Sequence, residues 1–203
     1  RWLELGREPK ADEIQFVNEI KENFGTIGQA LSFLLWFHDK ALVEEASKIR
    51  KDDLLVFLAL EEFHQRKPYK ELEKSLQRDL KYYFGSPTEA RKQAKELLFQ
   101  IADNEKLVEL SNLAQSEGLG WKDEKSLQLH GSLVERLPPL LRVYVGCANQ
   151  LIGDVDSADL VKIHLYSGKL SLMKFDNFTG SALPRMIERV KINFRSQQIE
   201  VFD

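Results

Sequence analysis

The spacing of apolar residues changes once along this chain, and that change divides it into two kinds of structure. As far as about Gln115, apolar side chains recur at steps of three and four: Ile14, Val17, Ile20 and Phe24, then Leu72, Leu76, Leu80 and Phe84, then Ala90, Ala94, Leu97, Leu98 and Ile101. That period predicts one amphipathic helix after another, punctuated by Pro68 and Gly85. From Leu160 the pattern alternates instead. Leu160 to Tyr166 and Lys169 to Phe175 read as two strands around a Ser167-Gly168 turn. Leu183 to Val190 suits a short helix, and Lys191–Phe194 with Ile199–Phe202 suits a second strand pair. Pro138 and Pro139 open an apolar helix, Leu140 to Leu151, that Gly153 stops. Ser116 to Ser132 holds Gly118, Gly120 and Gly131 and few large apolar residues, so it reads as a connection. The expectation is a predominantly helical α+β chain with a helical domain over 1–116, a connecting region over 117–136 and a small α+β unit over 137–203.

A local pattern occurs twice within the helical region. Phe24-Gly25-Thr26-Ile27-Gly28-Gln29-Ala30 and Phe84-Gly85-Ser86-Pro87-Thr88-Glu89-Ala90 share an order. An aromatic ends one helix, glycine turns the chain, and Thr or Ser caps the next helix. Three residues on, Gln29 or Glu89 is placed to complete a capping box. A helix, tight turn and helix fits an ordinary hairpin in a bundle, and it is also the skeleton of a helix-turn-helix DNA reader.

Charge favours the second use. The whole chain of 203 residues carries a net charge of only −3, so contact with nucleic acid must come from local patches. Arg66 to Lys95 holds nine basic residues against four acidic ones, with Tyr69, Tyr82, Tyr83 and Phe84 interleaved. Arg91, Lys92 and Lys95 fall away from the apolar row of their helix, where a recognition helix meets phosphates. Arg78 and Lys81 precede them on the first helix of the pair. Lys162 to Arg195 is a second basic zone, with seven basic residues against Asp176 and Glu188. Lys162, His164, Lys169 and Lys174 on the expected hairpin are its candidate contacts. The competing reading of both zones is a solvated charged surface.

The chain shows no catalytic motif. Val143-Tyr144-Val145-Gly146-Cys147 lacks the closely spaced glycines of a cofactor loop and belongs to the Pro-Pro helix. His38, His64, His130 and His164 have no companion cysteines at metal spacing. Asp154, Asp156, Asp159 and Lys162 lack the strand-borne arrangement of a metal-dependent nuclease. Cys147, the lone cysteine, forms no disulfide within the chain, which fits a reducing, cytoplasmic setting. No apolar run is long enough to span a membrane, and no signal segment opens the chain. It begins at Arg1 and reads as a piece of a larger protein.

Longer stretches carry a family resemblance. Lys51-Asp52-Asp53-Leu54-Leu55-Val56-Phe57-Leu58-Ala59-Leu60, Leu76-Gln77-Arg78-Asp79-Leu80-Lys81-Tyr82-Tyr83-Phe84-Gly85-Ser86, Leu137-Pro138-Pro139-Leu140-Leu141-Arg142-Val143-Tyr144-Val145-Gly146-Cys147-Ala148 and Ala158-Asp159-Leu160-Val161-Lys162-Ile163-His164 are the residues concerned. They resemble the C-terminal half of the DNA phosphorothioation-associated methyltransferases, from about Phe24 onward. The resemblance implies a bacterial modification-defence (restriction-modification, phage-defence) setting. It also implies a preceding methyltransferase domain, where S-adenosylmethionine is expected; none is expected in this chain. It maps no catalytic residue here. The expected role is a non-catalytic DNA-binding and positioning region of such a methyltransferase, with DNA and other phosphorothioation proteins as partners. The alternative is a scaffold that docks other components of the defence system.

Overall fold

The computed structural model describes residues 1–203 apart from His38, 65–67, 154–157 and Asp203. Arg66 and Lys67 of the first basic zone, His38, and Asp154 and Asp156 of the acidic cluster therefore lie outside the described residues. The chain is α+β and mostly helical, as its periodicity implies. It divides into two compact units, one of 1–58 with 66–93, the other of 59–65 with 94–203.

The first unit is helical. It contains α1 (Trp2–Leu5), α2 (Val17–Phe24), α3 (Ile27–Phe37), most of α4 (Lys40–Glu61), α5 (Lys74–Phe84) and the first half of α6 (Pro87–Gln100). Both expected hairpins form. Gly25 and Gly85 turn the chain at φ 78° and 73°, a region costly for residues with a Cβ. Thr26 Oγ1 accepts from the Gln29 amide at 3.1 Å, and Ser86 Oγ accepts from the Glu89 amide at 3.1 Å. The returning halves of the expected capping boxes differ from expectation. Gln29 Oε1 accepts from the Thr26 hydroxyl, and Glu89 accepts from Gln93 one turn further along the helix. The alanine six residues after each aromatic, Ala30 or Ala90, is buried against a neighbour.

An ion network fixes the start of the chain within this unit. Asp79 on α5 is fully buried. It accepts from Arg7 and, at 2.7 Å, from Arg50 on α4. Arg7 also donates to both oxygens of Glu13, at 2.9 and 2.7 Å. Arg7 holds the Glu13 carboxyl far below the ordinary carboxylate range through these hydrogen bonds.

The second unit is a six-stranded antiparallel meander with helices on one face. After α7 (Asn104–Ser116) come β1 (Trp121–Lys122), β2 (Ser126–His130), α8 (Pro139–Ile152), β3 (Leu160–His164), β4 (Lys169–Phe175), β5 (Met186–Asn193) and β6 (Gln198–Phe202). Leu127, Val161, Ile163, Leu170 and Ile192 are fully buried beneath Leu141, Tyr144, Val145 and Ala148 of α8. Each such aliphatic contributes about 1.5–3 kcal/mol relative to exposure. Tyr144 crosses this core, donating to the Lys169 carbonyl at 3.1 Å and meeting Phe194 edge-on.

Two expectations fail here. The region 117–136, expected as a connection, supplies β1, β2 and a 3-10 turn over Gly131–Arg136. Its alternation Ser126-Leu127-Gln128-Leu129-His130 buries the two leucines, and β3 supplies the pairing that makes it a strand. Leu183 to Val190, expected as a helix, leads instead into β5. Leu183 and Ile187 are exposed, so the three-and-four spacing marks no buried face. Val190 and Ile192 alternate with Arg189 and Lys191, and pairing to both β4 and β6 selects the strand.

Candidate nucleic-acid interface

Period-two alternation decides which side chains of the second unit meet each other. Since Leu127, Val161, Ile163, Leu170 and Ile192 point to α8, their strand neighbours point away from it. In register, one row across that outer face runs Trp121, Gln128, Lys162, Ser171, Lys191 and Glu200. The next row runs Ser126, His164, Lys169, Asn193 and Gln198. A third holds His130, Leu160, Met173, Arg189 and Phe202. Lys162, Lys169, Arg189 and Lys191 thus come from three strands onto one face, each half-buried at its base.

His164 sits among them. Burial, then the charges of Lys162, Lys191, Arg189 and Lys169, push its pKa down to about 4. At neutral pH its ring is uncharged, and its Nε2 shares a hydrogen bond of 3.1 Å with Ser171 Oγ. Ser171 and Ser126 are sunk beneath the longer side chains. Arg189 lies over the Phe202 ring at 6.0 Å, and its buried Nε has no hydrogen-bond partner among the described residues. Arg195, in the β5–β6 turn, donates to the Tyr166 carbonyl at 3.4 Å beside the β3–β4 turn. Acidic groups at this face include Glu200, opposite Lys191, and at its edge Asp123 and Glu124, the latter lining a hollow with His164 and Tyr166. Asp123 is held below the usual carboxylate range by the Lys125 amide and the Ser126 hydroxyl and amide, with a contribution from Lys162.

The structure brings Lys162, His164 and Lys169 of the expected site together and separates Lys174 from them. Lys174 shares the parity of Leu170 and Leu172 and lines a groove with Ile152, Ala158 and Glu188 on the α8 side. Arg189, Lys191, Gln128 and Trp121 join the face. Sequence reasoning missed them as site residues because β5 was expected as part helix and β1–β2 as connection; alternation over Ser126–His130 was the available signal.

The cations of the α5–α6 hairpin have a different setting. Arg78 donates to both oxygens of Asp12, at 2.9 and 2.8 Å, and lies 3.5 Å from Glu13. Lys81 is exposed in the last turn of α5, where the helix dipole favours a cation. Arg91 and Lys92 lie on α6, Lys92 in solvent. Lys95 Nζ is 3.6 Å from Glu62.

The side chains with reactive or ligating groups are placed as follows. Cys147 is buried in α8, and burial pushes its thiol up to about 12. A Cβ on Gly146 would stand 2.6 Å from Leu60 Cδ1, so this glycine serves close packing of side chain on helix. His130 caps the following 3-10 turn through the Ser132 amide. Asp159 accepts from the Phe175 amide at 2.8 Å, closing the β3–β4 pair. Among the described residues, no three His, Cys, Asp or Glu side chains gather as a metal-binding group, and no helix is long and apolar enough to cross a membrane. The chain matches no protein-family model, no curated protein and no solved structure.

Proposed function

We propose that this chain is a DNA-binding region whose contact surface is the outer face of the six-stranded sheet. More particularly, it positions DNA for an S-adenosylmethionine-dependent methyltransferase of a phosphorothioation-linked modification-defence system, as its resemblance implies. One observation carries the DNA-binding reading. Lys162, Lys169, Arg189 and Lys191 converge around a neutral His164, and among the described residues the acid in register with them is Glu200, opposite Lys191. Cations held this close repel each other, and a phosphate backbone relieves that repulsion while releasing its counterions. The resemblance alone supports the methyltransferase and defence setting.

The test is a fluorescence-anisotropy titration of labelled DNA at 50 and 200 mM salt, with the wild-type chain and the K162E/K191E variant. The expected result is at least a tenfold loss of affinity in the variant and a salt slope shallower by about two. Unchanged affinity and slope would overturn the reading.

A second reading, a scaffold for other defence proteins, is favoured by a different surface. On α3, Phe33, Trp36 and Phe37 are 44, 82 and 67% exposed, and their rings pack in sequence. A contiguous exposed aromatic surface of this kind marks interaction sites. This reading expects weak, salt-insensitive DNA binding.

A further inference from the structure

The geometry points to single-stranded DNA, not the duplex, as the ligand of the sheet's outer face, with Trp121 as a stacking platform for one base. This rests on the reading of that face as the DNA-binding surface. The first argument is width. Neighbouring strands lie roughly 4.8 Å apart, so six strands span roughly 24 Å. The major groove is about 12 Å wide and admits one helix or a two-stranded ribbon. The face therefore cannot enter a groove of regular B-form DNA, and on a duplex its lysines would meet the outer phosphates alone.

The second argument is what stands beside the lysines. Trp121 is 60% exposed on the edge strand β1, in the same row as Gln128 and Lys162. An indole over the outside of a duplex meets only sugar and phosphate, because successive base pairs stack and cover each other's faces. An unpaired base offers its whole ring, and stacking of this kind tolerates any sequence. Two strand spacings, roughly 10 Å, separate Trp121 from Lys162, and two more separate Lys162 from Lys191. A base on the indole thus leaves its backbone running over the two lysines. The neutral Gln128 lies between Trp121 and Lys162, with Asn193 and Gln198 in the adjoining row. These can both donate to and accept from base edges that a duplex keeps paired.

The third argument is the state of the site. Arg189 keeps a buried Nε without a partner among the described residues, and His164 is ringed by cations yet uncharged. A flexible single strand can bring a phosphate down to these sunken groups, where the stiff contour of a duplex stands off.

The experiment compares a fluorescein-labelled 20-nucleotide oligothymidine with a 20-base-pair duplex at 100 mM salt. The proteins are the wild-type chain, W121A, W121F and K162E/K191E, each checked by circular dichroism. The expected result is single-strand binding at least tenfold tighter than duplex binding. W121A loses roughly 5- to 150-fold on the single strand, the range of one stacked base, and leaves duplex binding unchanged. W121F keeps most of the affinity, so a loss in W121A that W121F shares with a collapsed circular dichroism spectrum is separable from lost stacking. Duplex binding equal to or tighter than single-strand binding, with W121A without effect while K162E/K191E weakens both, overturns this inference and leaves the DNA-binding reading standing. No effect of K162E/K191E on either ligand overturns the reading and the inference together.

Discussion

The α5–α6 hairpin and the outer sheet face carry comparable excesses of basic residues in sequence, yet the fold uses the two excesses differently. On the hairpin, two of the cations meet acids. Arg78 is clamped by Asp12, and Lys95 lies near Glu62. On the sheet, cations share one outer face around His164. The cause is geometric. A helix turns successive side chains by about 100°, so a run of basic residues scatters around the axis, where some reach acids on other elements. A strand sends every second residue to one face, and pairing stacks those faces side by side, so cations spaced by two accumulate. A count of charges along the chain therefore says little about a site until the period of the segment is known.

The largest expected effect breaks the helical side of this contrast. Asp79 is buried between Arg7 and Arg50, so removing its charge leaves two guanidinium groups with one shared partner fewer. D79A is expected to destabilise the first unit by about 3–5 kcal/mol, the cost of breaking a buried ion pair from one side. Urea denaturation followed by circular dichroism reads this directly. The DNA affinity of the sheet face should be unchanged at a denaturant concentration where the variant remains folded. A loss below about 1 kcal/mol would mean that the network contributes little and that the helical cations are less committed than their distances imply.

Charge reversal at the two sites sharpens the comparison further. K81E/K92E on the hairpin should change DNA affinity less than about threefold, against at least tenfold for K162E/K191E, in the same anisotropy titration. Equal losses would show that both cation groups meet the phosphate backbone, and the contrast between paired and converging charge would collapse.

Much of the fold was legible in the sequence, and the site much less so. The repeated Phe-Gly-Thr/Ser turns were readable because their capping chemistry is local: Thr26 and Ser86 need only the amide three residues ahead. The β3–β4 hairpin was readable for the same reason, a short turn between two alternating runs. β1 and β2 were hidden because their stability comes from β3, more than thirty residues away in sequence. β5 was hidden because Leu183, Met186, Ile187 and Val190 match a helical spacing, and only pairing on both edges decides against it. Reading Leu183–Val190 as a helix removed Arg189 from the expected site, whereas Lys191 fell in the expected strand pair without being named a contact, and Trp121 and Gln128 were lost with β1 and β2. The buried network of Arg7, Glu13, Asp79 and Arg50 left no sequence signal, since its members lie up to 72 positions apart.

A pH titration probes the converging side of the contrast. In the folded chain His164 has a pKa of about 4, below the 6.5 of an exposed imidazole. The unfolded chain therefore binds this proton more readily than the folded one. The sign follows: stability associated with His164 is fully present above pH 6.5 and is lost as the pH falls toward 4. The H164N variant should flatten that acid limb in a series of thermal melts. Binding of DNA adds negative charge among the same lysines, so the His164 pKa, followed by NMR, should rise on addition of the oligonucleotide. An unmoved resonance would place the phosphates elsewhere.

The smallest expected effect concerns the acid that faces this cluster. Glu200 on the edge strand stands across from Lys191 and is exposed. E200Q removes its negative charge while keeping the shape and the strand pairing. Stability should change by less than about 0.5 kcal/mol, as for surface substitutions generally. DNA affinity should rise by about two- to threefold at 50 mM salt, and the gain should shrink at 200 mM as screening shortens the reach of the charge. Because Glu200 is the one carboxylate among the described residues in register with the cations, this variant measures how nearly the sheet face already approaches an unopposed positive field. An affinity gain that persists unchanged at high salt would point to a direct hydrogen bond from the introduced side-chain amide to DNA, and Glu200 would then lie within the contact surface itself.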